Sequence, residues 1–268
     1  MRQDLQNANA LTQKGDWFRY YSGRELDEIA AAAADDPIID EYLKGRIGKI
    51  FELGCGGSHI LARSAIRGWE VGGIDFNAEA LGLLRTYLDS RDFHKYNLVC
   101  GDVLFFDCAQ IGAQYDLLVS FGFLEHFKDP REILEKWKVI LKPGGMVFSM
   151  IPNLFSINAP LLRKFDPEFW AQHVRYSPRD MDEFHLKAGL IPVKQAGYAG
   201  KYDVHMLIPW PKIEQSIGNR PIFKVVKYFA SYGVETVLGL LPRSDLRLFN
   251  PRVVGVYTLP HAPSYSRS

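Results

Sequence analysis

Glu52-Leu53-Gly54-Cys55-Gly56-Gly57-Ser58 decides how this chain is read. It closes a largely apolar run, Ile47 to Leu53, and precedes an apolar-periodic segment, Ile60-Leu61-Ala62 to Ile66. Strand, glycine turn and helix is the natural reading. Glycines have no Cβ, so a ligand can approach such a turn closely, and the helix that follows offers unpaired N–H groups at its positive end. The turn suits a carboxylate or a phosphate. A dinucleotide fingerprint would continue with Gly or Ala at position 59, where this chain has His59, so a nicotinamide or flavin dinucleotide is disfavoured.

Outward from that turn, short β-rich runs and longer helical runs alternate from residue 47 to about residue 195, the pattern of a parallel sheet covered by helices. A second strand, Glu70 to Ile74, stops at Asp75, and Asn77 then caps a helix with Ala80, Leu81, Leu84 and Leu88 on one face. Asn97 to Cys100 and Tyr115 to Ser120 read as strands three and four. Asp129 at an N-cap, Pro130 at the first helical position and Glu132 at the capping-box position open a helix that buries Ile133, Leu134, Trp137 and Ile140. Leu141-Lys142-Pro143-Gly144-Gly145 then turns the chain into a fifth strand, Met146 to Ile151. Ser177-Pro178-Arg179-Asp180 starts another helix, which ends at Gly189 before a strand from Ile191 to Lys194. Asp75, about twenty residues beyond the first turn, suits a ribose diol, because an ionised carboxylate accepts from both hydroxyls.

The 268 residues carry 32 Lys+Arg against 31 Asp+Glu, a formal charge of +1. That balance argues against a protein that holds nucleic acid mainly by neutralising phosphates. With 47% hydrophobic and 24% charged residues the composition is that of a globular protein, not a disordered one. Cys55, Cys100 and Cys108 form no CxxC pair, which fits a reducing compartment, and no apolar run is long enough for a signal peptide or a membrane span. The expected location is cytoplasmic.

In order, Glu52-Leu53-Gly54-Cys55-Gly56-Gly57, Gly73-Ile74-Asp75-Phe76, Gly101-Asp102-Val103, Tyr115-Asp116-Leu117-Leu118-Val119-Ser120 and Leu141-Lys142-Pro143-Gly144-Gly145-Met146-Val147 resemble the motifs of class I S-adenosylmethionine-dependent methyltransferases. The resemblance covers residues 47–151 well and 173–195 loosely. It implies an α/β, Rossmann-like sheet, mostly parallel with a C-terminal antiparallel strand, helices on both faces and a helical insertion before the last strand. It divides the chain into an N-terminal helical cap (1–45), a core (46–196 and 251–260) and an insertion (197–250). It also implies S-adenosylmethionine as cofactor. Gly54 and Gly56 would lie against its methionine portion, with Glu52 ordering the ammonium end. Asp75 would bind the ribose, Phe76 would pack on adenine, and Asp102 and the Val103 amide would reach the adenine edge. Ser120 would offer its carbonyl to the ammonium. The alternative is that Glu52, Asp75 and Asp102 are ordinary solvated strand-end carboxylates.

Methyl transfer from an activated sulfonium needs mainly in-line positioning, with a base only where the acceptor must lose a proton. His126, in Leu124-Glu125-His126-Phe127, is the candidate base, against a purely packing role. That loop looks like the loop of ubiquinone-pathway O-methyltransferases, in which an acidic residue three positions before the Glu-His pair completes a metal site. Here the position is Gly122, so no metal is expected. Ser120-Phe121-Gly122-Phe123 also lacks the Asn/Asp-Pro-Pro-aromatic run of amino-directed DNA base methylation, and no DNA partner is expected.

Tyr20 or Tyr21, in Trp17-Phe18-Arg19-Tyr20-Tyr21, and His173 and Tyr176 are candidate acceptor-side residues, with packing as the other reading. More than fifty residues separate the last two strands, Ile191 to Lys194 and Arg252 to Leu259. This insertion contains Pro209-Trp210-Pro211 and an amphipathic helix, Ile222 to Phe229. From Lys201 to Arg252 it carries eight Lys+Arg against four Asp+Glu. It reads as a lid for an anionic or lipid-linked acceptor, such as a phosphorylated sugar, or as a packing or homodimer-interface element. The expected activity is O-methylation of a small molecule or glycan. The alternatives are an N- or C-methyltransferase, an RNA or protein methyltransferase, and a catalytically silent cofactor-binding scaffold.

Overall fold

Seven strands make a single sheet in the computed structural model, in the order β3-β2-β1-β4-β5-β7-β6. The structure describes residues 9–12, 15–16, 37–111, 115–200, 208–218 and 247–260. Tyr20 and its aromatic neighbours, and the helix expected from Ile222 to Phe229, lie outside the described residues.

The strands are β1 (Lys49–Leu53), β2 (Glu70–Asp75), β3 (Tyr96–Cys100), β4 (Tyr115–Phe121), β5 (Leu141–Pro152), β6 (Ile191–Ala199) and β7 (Arg252–Thr258). The helices are α1 (Pro37–Leu43), α2 (His59–Ile66), α3 (Ala78–Ser90), α4 (Arg131–Trp137), α5 (Ala159–Phe165), α6 (Pro167–Ala171), α7 (Pro178–Lys187) and α8 (Trp210–Ile217). Strands β1 to β5 pair in parallel, and β7 runs antiparallel between β5 and β6.

Side chains alternate across each strand, so every strand feeds two cores. Phe51, Leu53, Leu118, Val147 and Tyr257 enter one, together with Trp137 of α4 and Met181 and Phe184 of α7. Ile50, Leu117, Val119, Phe148 and Val256 enter the other, against α1, α2 and α3. Trp137 is fully buried, and its indole N–H donates to the Val103 carbonyl at 2.9 Å. α1 is fixed to the second layer by Asp40, which pairs with Arg63 and, at 2.8 Å, with Arg67.

The helix starts test the capping expectations. Asn77 Oδ1 accepts from the Glu79 and Ala80 amides, and Ser177 and Asp180 form a reciprocal capping box. At α4 the expected box does not form. Asn9 takes both the backbone N–H and the carbonyl of Asp129, whose carboxylate caps the Arg131 amide, so the helix begins one residue late. Two strands exceed their expected length. β5 begins at Leu141 because the Lys142-Pro143-Gly144-Gly145 segment is drawn into the sheet next to a register shift at Tyr115/Leu117. β6 runs on to Ala199 by pairing with β7 through two irregularities.

Candidate active site

The first three strand ends converge through hydrogen bonds. In the sheet, Leu53 is in register with Ile74 on one side and Ser120 on the other. Beyond Leu53 the chain turns with Gly54 at φ +66° and Gly56 at φ +42°, both in the left-handed region that glycine tolerates. Cβ-free space is needed at Gly54 for a further reason: an added Cβ would lie 2.4 Å from Cδ2 of Phe123, whose ring covers this glycine.

The Gly56 amide donates to Asp75 Oδ2 at 2.9 Å and the Asn77 amide to Oδ1 at 2.8 Å, so Asp75 ties the first turn to the start of α3. Asp75 is buried, and burial pushes its carboxyl above the usual range while the amides of Asn77, Gly56 and Phe76 hold it down. Ser58 caps α2, accepting from the Leu61 amide at 3.0 Å, and donates its hydroxyl to Glu52. Glu52 is 3% exposed. Burial pushes its carboxyl up to about 8, although the Ser58 bond acts in the opposite direction and the Asp75 charge adds to the rise. It is therefore no ordinary solvated strand-end acid.

The remaining cofactor-side candidates sit around this turn. Phe76 is half-buried just beyond β2, and Asp102 is half-buried after β3, with its Oδ1 accepting from the Leu104 amide at 3.0 Å. Val103 points into the core, buried with Trp137. Ser120 is 1% exposed, and its hydroxyl has no hydrogen-bond partner among the described residues.

A family model described as a methyltransferase domain matches residues 51–147. The ubiquinone biosynthesis O-methyltransferase of Paraburkholderia phymatum is 30% identical over 159 residues, covering 56% of this chain and 66% of that protein. The protein of the same name from Azoarcus sp. is 28% identical over 175 residues, covering 60% and 74%. Residues 51–147 are a class I S-adenosylmethionine-dependent methyltransferase domain. The fold agrees. A putative methyltransferase from Bacillus halodurans superposes with a TM-score of 0.51 at 15% identity, covering 89% of this chain and 100% of that one. A plantazolicin methyltransferase in complex with SAH superposes with a TM-score of 0.54 at 14% identity, covering 92% and 90%.

S-adenosylmethionine is the cofactor of this class, and the cradle of this methyltransferase has the chemistry for it. Among the described residues Glu52 is a buried acid without a paired cation and Ser120 carries a buried hydroxyl without a hydrogen-bond partner, while the Asp75 oxygens keep acceptor capacity beyond the amide bonds they already accept.

The acceptor-side candidates are distributed differently from the expectation. The loop after β4 is gripped from two directions. The Leu11 amide donates to the His126 carbonyl at 2.8 Å and the Lys128 amide to the Asn9 carbonyl at 3.0 Å. Opposite, the Val174 amide donates to the Glu125 carbonyl at 2.7 Å. Tyr176 belongs to this grip: its hydroxyl lies 2.7 Å from the Phe127 carbonyl and 2.9 Å from the Lys128 carbonyl. Its polar tip holds the loop, the packing role that stands beside the acceptor-side reading. Burial pushes the His126 imidazole down to about 3, with neighbouring His173 adding to the fall and the Gln172 and Gly122 carbonyls opposing it. Burial therefore favours the neutral form of this ring. His173 packs against His126 with ring centroids 4.4 Å apart. No local pattern in the sequence links these two histidines.

On the far side of the sheet end, Phe155 lies 5.8 Å from the Arg175 guanidinium and 4.7 Å from that of Arg247. Arg175 also lies 5.5 Å over Trp170. Asn153 fastens the end of the insertion here, donating to the carbonyls of Arg247 and Asn250. Its beginning docks through α8, where Ile208 and Ile213 pack with Phe165 and Trp210 and Lys212 pairs with Asp166 at 2.6 Å.

Proposed function

We propose that this methyltransferase methylates an oxygen of a small hydroxylated acceptor that bears an anionic group. Oxygen as the target is supported by the relatives named for O-methylation. The anionic group is supported by one observation: Arg175 and Arg247 both lie against the Phe155 ring, and no ion pair of either is found among the described residues. A carboxylate or phosphate can take bidentate hydrogen bonds from guanidinium groups held in this way against an aromatic ring.

When bound, the cofactor supplies an already activated methyl group. The chain's own contribution is positioning and exclusion of water. Glu52, once ionised, would hold the ammonium end, Asp75 the ribose hydroxyls, and Asp102 the adenine edge. Phe123, closing over Gly54, would wall off the turn from solvent. The arginine pair would orient the acceptor by its charge.

The test is methyl incorporation from labelled cofactor across hydroxylated aromatic acceptors with and without a carboxylate, compared with N-nucleophiles, sugars and RNA. The double variant R175A/R247A should raise KM at least about tenfold for the carboxylated acceptors and leave neutral ones unaffected. Turnover confined to amines, glycans or RNA would refute the oxygen and small-molecule assignments. Equal loss on neutral and charged acceptors would refute the role of the arginines.

A further inference from the structure

Glu52 and Asp75, the two buried acids of the cradle, are held by different means. Asp75 accepts from two backbone amides, those of Gly56 and Asn77. Among the described residues the Glu52 carboxyl has one hydrogen-bond partner, the Ser58 hydroxyl, and no ion pair. Both members of this contact are buried, Glu52 at 3% and Ser58 at 6% exposure.

Ser58 also caps α2, its oxygen accepting from the Leu61 amide at 3.0 Å. That leaves the hydroxyl with its proton and one further lone pair. Towards an ionised Glu52 it can only donate. Towards a protonated Glu52 it can accept instead, so the same oxygen serves both states without movement of the chain. The surroundings favour the protonated state. Asp75 at the end of β2 and the Cys55 thiol of the turn are the titratable groups coupled to Glu52, and neither brings positive charge. Burial pushes the Glu52 carboxyl up to about 8, and the Ser58 bond is the influence that opposes it.

We propose that Ser58 is a positioning residue for the cofactor, whose hydroxyl stabilises the ionised Glu52 that receives the ammonium end. The proposal rests on the reading of Glu52 as the holder of that ammonium. As the cation is bound, a proton leaves Glu52 for solvent and the Ser58 hydrogen turns to the carboxylate. A charge-assisted bond of this kind is stronger than its neutral counterpart, so the hydroxyl favours the ionised state.

Ser58→Ala removes the donor to Glu52 and the cap on α2 together, and pH separates the two roles. Loss of the cap weakens binding equally at every pH, whereas loss of the donor matters most where Glu52 is protonated. The full chain, S58A, S58T and E52Q are titrated calorimetrically with S-adenosylhomocysteine between about pH 6 and pH 9. S58A should bind about tenfold more weakly near pH 7, with the gap closing to about twofold near pH 9, because its carboxylate forms about one pH unit later. S58T keeps a hydroxyl and should follow the wild type. Carboxyl carbon NMR of Glu52 without ligand should show the same displacement. Glycine is an adequate N-cap, so S58G carries the comparison if S58A does not fold. A loss equal at every pH, or an unmoved Glu52 titration in a folded variant, would overturn the role of Ser58. E52Q binding as tightly as the wild type would overturn it through the reading of Glu52 itself.

Discussion

Gly56 and Asp75 are joined by a hydrogen bond of 2.9 Å from backbone amide to carboxylate, which makes the turn after β1 and the end of β2 one unit. Asp75→Asn places an amide NH2 against the Gly56 or Asn77 N–H and removes the charge at the proposed ribose position. Cofactor affinity is expected to fall about 10- to 100-fold, equivalent to roughly 1.4–2.8 kcal/mol. Calorimetry with the demethylated cofactor reads this directly, and an unchanged Kd in the folded variant would remove Asp75 from the site.

Glu52 should make stability, and with it the proposed cofactor binding, depend on pH. Its folded-state value of about 8 lies above the ordinary 4.5, so the folded chain retains a proton that the unfolded chain releases. Its stabilising contribution is complete below about pH 4.5 and is lost as the pH rises toward 8, with a slope no steeper than about 1.4 kcal/mol per pH unit. Urea unfolding across that window should show a flatter profile for Glu52→Gln than for wild type. A cationic ligand favours the ionised carboxyl, so cofactor binding at neutral pH should release protons, seen as a dependence of the calorimetric heat on buffer ionisation enthalpy. Identical profiles for the two chains would contradict both expectations.

Gly54 is constrained twice, by its φ of +66° and by the Phe123 ring. Gly54→Ala should cost about 1–2 kcal/mol for the left-handed backbone and a further 1–3 kcal/mol for overlap with the ring. A thermodynamic cycle with Phe123→Ala should reveal coupling above about 0.5 kcal/mol. Strict additivity would mean that the ring moves aside freely.

Tyr176→Phe removes a hydroxyl bridging two carbonyls of the loop after β4. The expected loss is about 1–2 kcal/mol in denaturant unfolding. Loss of turnover without any loss of stability would return Tyr176 to the acceptor side.

The sheet was readable because its strands are short apolar runs ending in glycine or acid, and Asn77 and Ser177 are strong local helix starts. β6 extends beyond the expected end at Lys194, where Gln195-Ala196-Gly197-Tyr198-Ala199 is a half-exposed edge without clear alternation. The missing capping box at α4 reflects Asn9, some 120 residues away in sequence, which competes for Asp129. Glu52, Asp75 and Ser120 were legible as strand-end residues within a local motif. The partnership of His173 with Glu125 and His126 was not, since it arises only when α5 and α6 carry the chain out and back. No periodicity encodes such a return.

The antiparallel strand β7 lies between β5 and β6, and residues 200–251 separate it from β6 in sequence. On the ribosome, β1 to β5 can zip together as they emerge, but β6 has no neighbour to pair with until the final strand is synthesised. During that interval two raw hydrogen-bonding margins are exposed, a state that invites association with other nascent chains. A chain cut before Arg252 would be trapped there, and its fate would be precipitation or chaperone capture rather than a smaller working enzyme.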